Sequence, residues 1–426
     1  MAKTSFAIHG DICHSKGPNE LECVKDGYVV CEEGRSAGVF SSLPEQYSGI
    51  SVLEYPGMLV LPGLVDLHVH AAQFAYRGTG MDVELLDWLE RYAFPEEARF
   101  ADLDYAERAY SRFVEDMRRG PNTRACVFAS AHTEATLLLM DLLDESGLAT
   151  MVGRVSMDQN APDNLREPDA ASAAAETIRW LDAVAGRHYV ATEPALTPRF
   201  IPSCSHELLR ALGEICRQCG TAVQSHLSEN RAEVELVREL CPDSRFYGEA
   251  YDSFGLFGGE GGKTVMAHCV LSAPPELELI RKRGVYIAHC PASNMNVSSG
   301  IAPVRSFLDM GLHVGLGSDV AGGTVTSIFR AMADSIQVSK LRWRLVDDSL
   351  KALTAPEAFW LGTAGGGEFF NTGSFKPGRE FDAIVLSDKR YRPETASDIA
   401  ERLERSIYLS DDRDIEHKFV RGAMLF

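Results

Sequence analysis

The chain has 426 residues, 45% hydrophobic and 24% charged, with 42 Lys and Arg against 61 Asp and Glu, a formal net charge of −19. That balance belongs to an ordinary soluble globular protein with ample chain for a large core. The acidic excess argues against nucleic acid and anionic membrane surfaces as partners, since neutralising phosphates needs excess Lys and Arg, and leaves a small neutral ligand open.

The first sixty residues predict short strands and turns. Residues 29–31 and 51–55 carry the strand texture, and Gly27, Gly34 and Gly38 punctuate it. From about residue 58 to 373, β-rich runs alternate with helix-period segments. Strands are predicted at 59–69, 125–130, 150–155, 188–196, 222–226, 264–268, 285–289 and 313–317. Helices are predicted at 103–117, 206–219 and 275–283, with another beginning at 170–175.

Eight strand–helix units predict an α/β fold, a (β/α)8 TIM-like barrel over residues 58–373. A doubly wound open sheet is the alternative. After Gly373 strand texture returns at 381–386 and 418–420, so 1–57 and 374–426 are expected to join as one small β-sandwich domain formed from both chain termini.

Apolar runs such as 136–140 fall far short of the roughly 18–20 residues that span a bilayer. Residues 1–15 carry no apolar stretch of signal-peptide length. Ten scattered cysteines form no dense framework, and Cys216 and Cys219 read as two helix-face thiols. Reduced thiols and a cytoplasmic location are therefore expected.

Polar residues gather where the predicted strands end. The first strand ends in His68 and His70, the fifth in His226, the sixth in His268 and the seventh in His289; Asp319 follows the eighth and His132 the second. In a parallel barrel these ends share one mouth, where catalytic groups sit. His68 and His70 are two apart on a strand, so both point to the same side.

Zinc binds imidazole and carboxylate and keeps an open position for water in a catalytic site. His68, His70, His226 and Asp319 would supply three imidazoles and a carboxylate. Taken alone, Asp319 reads as a turn or cap residue, and Glu229, three residues past His226, as a first-turn glutamate. Beside an activated water, Glu229 would instead move protons.

The run Pro62-Gly63-Leu64-Val65-Asp66-Leu67-His68-Val69-His70 resembles the opening motif of the amidohydrolase superfamily. The match continues through Gln73-Phe74, Thr197-Pro198-Arg199-Phe200 and Gln224-Ser225-His226-Leu227-Ser228-Glu229-Asn230. It runs on through Met266-Ala267-His268, His289-Cys290-Pro291-Ala292-Ser293-Asn294, Gly317-Ser318-Asp319 and the tail at 409–415. These segments resemble the guanine deaminase family within that superfamily, over about residues 58–416.

The resemblance implies one zinc per chain and hydrolysis of guanine to xanthine and ammonia in purine catabolism, by a homodimer. It places zinc on His68, His70, His226 and Asp319. It places the purine against Gln73, Arg199 and Phe200, and beside His70, His226, Glu229 and Asp319. Glu229, His268 and Asp319 are the implied catalytic groups. Ser318, where a Thr is often seen, and the Gly-rich run at 361–367 depart from the pattern without touching a ligand position.

Arg199 and Gln73 would read the carbonyl and ring-nitrogen edge of the base. Two relatives in chemistry fit less well. His132-Thr133-Glu134 supplies half of the compact zinc deaminase signature, but no Pro-Cys-x-x-Cys follows. No lysine occurs between Lys25 and Lys263, which removes the lysine bridge of binuclear sites from the fourth strand and leaves Glu193 as a substitute bridge. A deaminase of another heterocycle (8-oxoguanine, a pterin or a triazine) and a non-catalytic assembly barrel are the competing functions.

Overall fold

A computed structural model describes residues 5–259, 262–395 and 397–426. The chain opens with β1 (Phe6–Gly17), β2 (Glu20–Glu32), β3 (Arg35–Phe40) and β4 (Ser51–Pro62). There follow β5 (Leu64–His70), β6 (Asn122–Phe128), β7 (Ala149–Gly153), β8 (Val155–Ser156), β9 (Thr192–Pro198) and β10 (Ala222–Leu227). The last are β11 (Thr264–His268), β12 (Tyr286–His289), β13 (His313–Leu316), β14 (Ala383–Leu386), β15 (Ile415–Val420) and β16 (Ala423–Met424).

Eight of these close a parallel barrel in the order β10-β11-β12-β13-β5-β6-β7-β9, with β9 pairing back onto β10. Its lumen is packed by Val65 and Leu67 from β5, Cys126 from β6, Met151 from β7, Ala195 from β9, Val265 and Ala267 from β11, and Ala288 from β12. Small side chains from facing strands fill the space, as a barrel interior requires.

Helices cover the outside with the predicted periodicity. Leu103–Arg119 starts at Asp102, whose carboxylate accepts the amides of Asp104 and Tyr105. His206–Cys219 starts at Ser205 and ends at Gly220, which takes the left-handed conformation that lacks a Cβ penalty. Among the described residues no helix is long and apolar enough to cross a membrane.

Both chain ends build the second unit, a mixed seven-stranded sheet ordered β16-β15-β14-β4-β1-β2-β3. β1 and β15 stand three strands apart, roughly 14 Å on a flat sheet. Yet the Phe6 and Phe419 rings lie 5.5 Å apart, and Phe6 meets Phe381 at 5.5 Å. The sheet therefore curls over itself, sandwich-like, around Phe6, Ile8, Val60, Phe375, Phe381 and Phe419.

Two predicted strands are corrected. The run at 59–69 is two strands in two sheets: Leu59–Pro62 pairs with β14, and β5 begins at Leu64. The break falls at Gly63, where a Cβ would lie 2.2 Å from the Thr123 hydroxyl. The strand at 188–196 begins four residues later, because His188 ends the helix Ala170–Arg187 in a left-handed conformation.

Candidate active site

At the mouth, β5 changes phase. Val65 and Leu67 point into the lumen, so simple alternation would turn His68 and His70 outward. The pairing of β5 with β6 slips between Asp66 and Val69, and such an irregularity re-aims the side chains beyond it.

Asp66, fully buried, fixes the irregularity. Its Oδ1 accepts the amides of His68 at 3.1 Å and Ser318 at 3.0 Å, and its Oδ2 accepts the Ser318 hydroxyl at 2.5 Å. Burial pushes its carboxyl up to about 7. Gly317 permits this approach, since a Cβ there would stand 2.9 Å from the His68 Cβ.

Four ligand-type atoms converge. His70 Nε2 lies 3.2 Å from both His68 Nε2 and His226 Nε2. Asp319 Oδ1 lies 3.2 Å from His68 Nε2 and 3.5 Å from His70 Nε2. Burial lowers the pKa of all three histidines, which favours their neutral forms. Burial opposes ionisation of Asp319, but the imidazoles of His68, His268 and His70 hold its carboxyl well below the usual range.

His226 Nδ1 donates to the Arg199 carbonyl at 2.6 Å, which leaves its Nε2 as a lone pair. One Nε2–H on His70 satisfies only one of two nitrogen neighbours. Single protons cannot bridge all of these close contacts, whereas a bound cation would meet a lone pair from each ring. Ligand atoms about 2.0–2.1 Å from one tetrahedral zinc lie about 3.3 Å apart, which fits these separations. His68, His70 and Asp319 form one candidate metal cluster, and His68, His226 and His268 another.

His268 and Glu229 stand beside this set. Asn294 Oδ1 lies 2.9 Å from His268 Nδ1 and accepts its proton. His268 Nε2 lies 3.4 Å from Glu229 and 3.6 Å from Asp319, and makes no hydrogen bond among the described residues. His268 and Asp319 hold left-handed backbone angles, φ 77° and 47°. Each costs on the order of 1–3 kcal/mol in a non-glycine residue, strain that collects at functional sites. Burial raises the Glu229 carboxyl well above its usual range, and the Asp319 charge adds to this. Ser299 donates to Glu229 Oε1 at 3.2 Å.

His70, His226, Glu229, His268 and Asp319 line a cavity of about 420 Å³, open mouth included, together with Gln73, Arg199 and Phe200. Gln73 and Arg199 are 2% exposed. Both bind the Glu97 carboxylate, Gln73 Nε2 at 2.8 Å and Arg199 through Nη1. The Phe200 ring lies 6.5 Å from that of His226. The segment at 81–100 roofs the cavity with Leu85, Trp88 and Leu89.

Every expected site residue therefore lies in this one place. His132 and His289 do not line the cavity, and His289 is pushed down to about 3 by burial with both ring nitrogens unpartnered. Glu193 is exposed near the start of β9, at the opposite end of the barrel from the histidines, and bridges nothing here. Asp66, Asn294 and Glu97 are additions the sequence reading missed. The first two lie inside quoted motifs, whereas nothing local marks Glu97.

The match to the amidohydrolase family spans residues 59–425. Guanine deaminase from Dictyostelium discoideum is 37% identical over 426 residues, covering 97% of this chain and 91% of that one. Guanine deaminase from Homo sapiens is 39% identical over 379 residues, covering 86% and 82%. A crystal structure of guanine deaminase from C. acetobutylicum with bound guanine in the active site is 41% identical; it superposes with a TM-score of 0.95 over 99% of this chain and 100% of that chain. The chain belongs to the amidohydrolase family, in the branch of the guanine deaminases.

Proposed function

We propose that this protein catalyses the zinc-dependent hydrolysis of guanine to xanthine and ammonia, as a cytoplasmic homodimer serving purine catabolism. The observation that carries the chemistry is the convergence of His68, His70, His226 and Asp319 beside a buried Glu229 at one cavity. The likeness to guanine deaminases over nearly the whole chain supports the choice of base.

His68, His70, His226 and Asp319 would hold a single zinc, which supplies an acidified water at neutral pH. Arg199 and Gln73 hold the carbonyl edge of the base, and Phe200 packs on its plane. Glu229, kept protonated by burial, gives its proton to the ring nitrogen beside the carbon under attack and draws electron density from that carbon. Asp319 accepts a proton from the attacking water. His268 Nε2, free of other partners, hydrogen-bonds the incoming oxygen. Asp319 passes the water's proton to the exocyclic nitrogen, which departs as ammonia, while the adduct's hydroxyl proton goes to the Glu229 carboxylate, forming the new carbonyl and restoring the acid. Each positioned acid or base contributes about 10²–10⁴-fold.

The test is ammonia release from guanine, 8-oxoguanine, a pterin and an aminated triazine. Guanine should give the highest kcat/KM; preference for another member, or no release, overturns the assignment. Metal analysis of protein purified without added metal should give about one zinc per chain. Two equivalents or none would contradict the four-residue set.

A further inference from the structure

Glu97 is 1% exposed and does not line the cavity, yet it joins the two side chains assigned to base recognition. Its Oε1 accepts from Gln73 Nε2 at 2.8 Å, and its Oε2 accepts from Arg199 Nη1. An ionised carboxylate only accepts hydrogen bonds, so Gln73 must turn its NH₂ toward Glu97. At the other end, Gln73 Oε1 accepts the Ala321 amide at 3.2 Å, and that amide only donates. Two independent partners therefore dictate the same orientation of the Gln73 amide.

What Gln73 has left is one N–H on Nε2 and one lone pair on Oε1. Arg199 is fixed in the same way. Nη1 is held by Glu97, and the guanidinium carbon lies 5.0 Å from the centre of the Phe94 ring. Glu97 also neutralises Arg199, whose charge would otherwise be buried alone.

We infer that Glu97 is a positioning residue for substrate selection: it locks Gln73 and Arg199 into one donor pattern matched to the carbonyl edge of an oxopurine. This rests on the guanine reading above. A glutamine at position 97 would accept from one partner and confront the other with its own NH₂. Gln73 would then be held in orientation by the Ala321 amide alone, and each flip would present an acceptor where the base needs a donor. Buried donors that lose their partners are what make such a site reject a base lacking the carbonyl.

The experiment compares Glu97→Gln and Glu97→Asp with wild type on guanine and on 2-aminopurine, which keeps the amine under attack and lacks the carbonyl. Zinc content and thermal unfolding certify each protein. In Glu97→Gln, KM for guanine should rise on the order of tenfold with kcat changed less, as expected when ground-state contacts are lost. The kcat/KM preference for guanine over 2-aminopurine should narrow on the order of tenfold. Glu97→Asp keeps the charge but not the reach, and should fall between.

A purely structural role would lower kcat for both bases alike and leave their ratio unchanged, which overturns the inference. So does wild-type behaviour in either folded variant. If Glu97→Gln fails to fold, Glu97→Asp decides alone. A wild-type protein inactive on guanine would instead defeat the functional assignment and this inference with it, a different pattern of results.

Discussion

The two ends of the barrel treat buried polar groups in opposite ways. At the N-terminal end Arg124 is 5% exposed and paired with two carboxylates, with Nε 2.5 Å from Asp382 and Nη2 2.8 Å from Glu380. Nearby, Lys418 Nζ donates to the carbonyls of Met117 at 2.9 Å and Asn122 at 2.8 Å. These bonds fasten the terminal sheet to the barrel. At the mouth, imidazole nitrogens face one another at 3.2 Å, and His268 Nε2 is buried without a hydrogen bond among the described residues. A satisfied network stiffens a fold, whereas an unsatisfied one costs stability and is kept where chemistry needs it. Substitutions at the first end should therefore change stability, and those at the second should change turnover.

The largest effect should come from the mouth. His226→Ala should lose bound zinc and at least about 10³-fold in kcat/KM, read by metal analysis and ammonia release. Its apo form should unfold no lower than the apo wild type. Glu229→Gln should keep zinc and thermal stability while kcat falls about 10²–10⁴-fold; near-normal turnover would remove it from proton transfer.

At the opposite end the sign reverses. Arg124→Met leaves Asp382 without its cation and should destabilise by about 3–5 kcal/mol in denaturant unfolding. The KM for guanine should not move.

The effect smallest per unit of change is a pH slope. Burial lowers Lys418 from 10.5 to about 7, so between these values the unfolded chain binds more protons than the folded one. Stability from this group rises with pH across that window, by up to about 1.4 kcal/mol per unit, and is flat below pH 7. Lys418→Met should flatten that part of a stability–pH curve. An unchanged slope would show that Lys418 titrates normally.

Much of this layout was legible before any coordinates. The helix over 206–219 matches its prediction to the residue, because a capping serine and a left-handed glycine bracket a 3.6-residue period. The four candidate ligands were readable because chemistry-bearing residues stood at strand ends, where a barrel gathers them.

What was not legible depended on long-range geometry. Apolar residues stand on both sides of Pro62-Gly63, at 59–61 and 64–65, so the strand texture runs on and does not reveal that the chain leaves one sheet for another there. The phase change after Leu67 breaks the period-two rule and becomes visible only in the pairing with β6. Glu97 takes its meaning from Arg199, 102 positions away, and its helix Phe94–Glu97 is too short to carry a pattern.

The seam of the barrel has a consequence for biosynthesis. β13 and β5, the last and first barrel strands, share a single paired position, Leu316 with Asp66. Asp66 adds side-chain bonds to Ser318 across 252 residues. His68 and His70 stand on one lip of this seam and Asp319 on the other. A growing polypeptide thus exposes its paired histidines on the ribosome long before the carboxylate is synthesised. No truncated product ending ahead of Asp319 presents all four candidate donors, so an ion bound there would act as a clasp that only a finished ring can fasten.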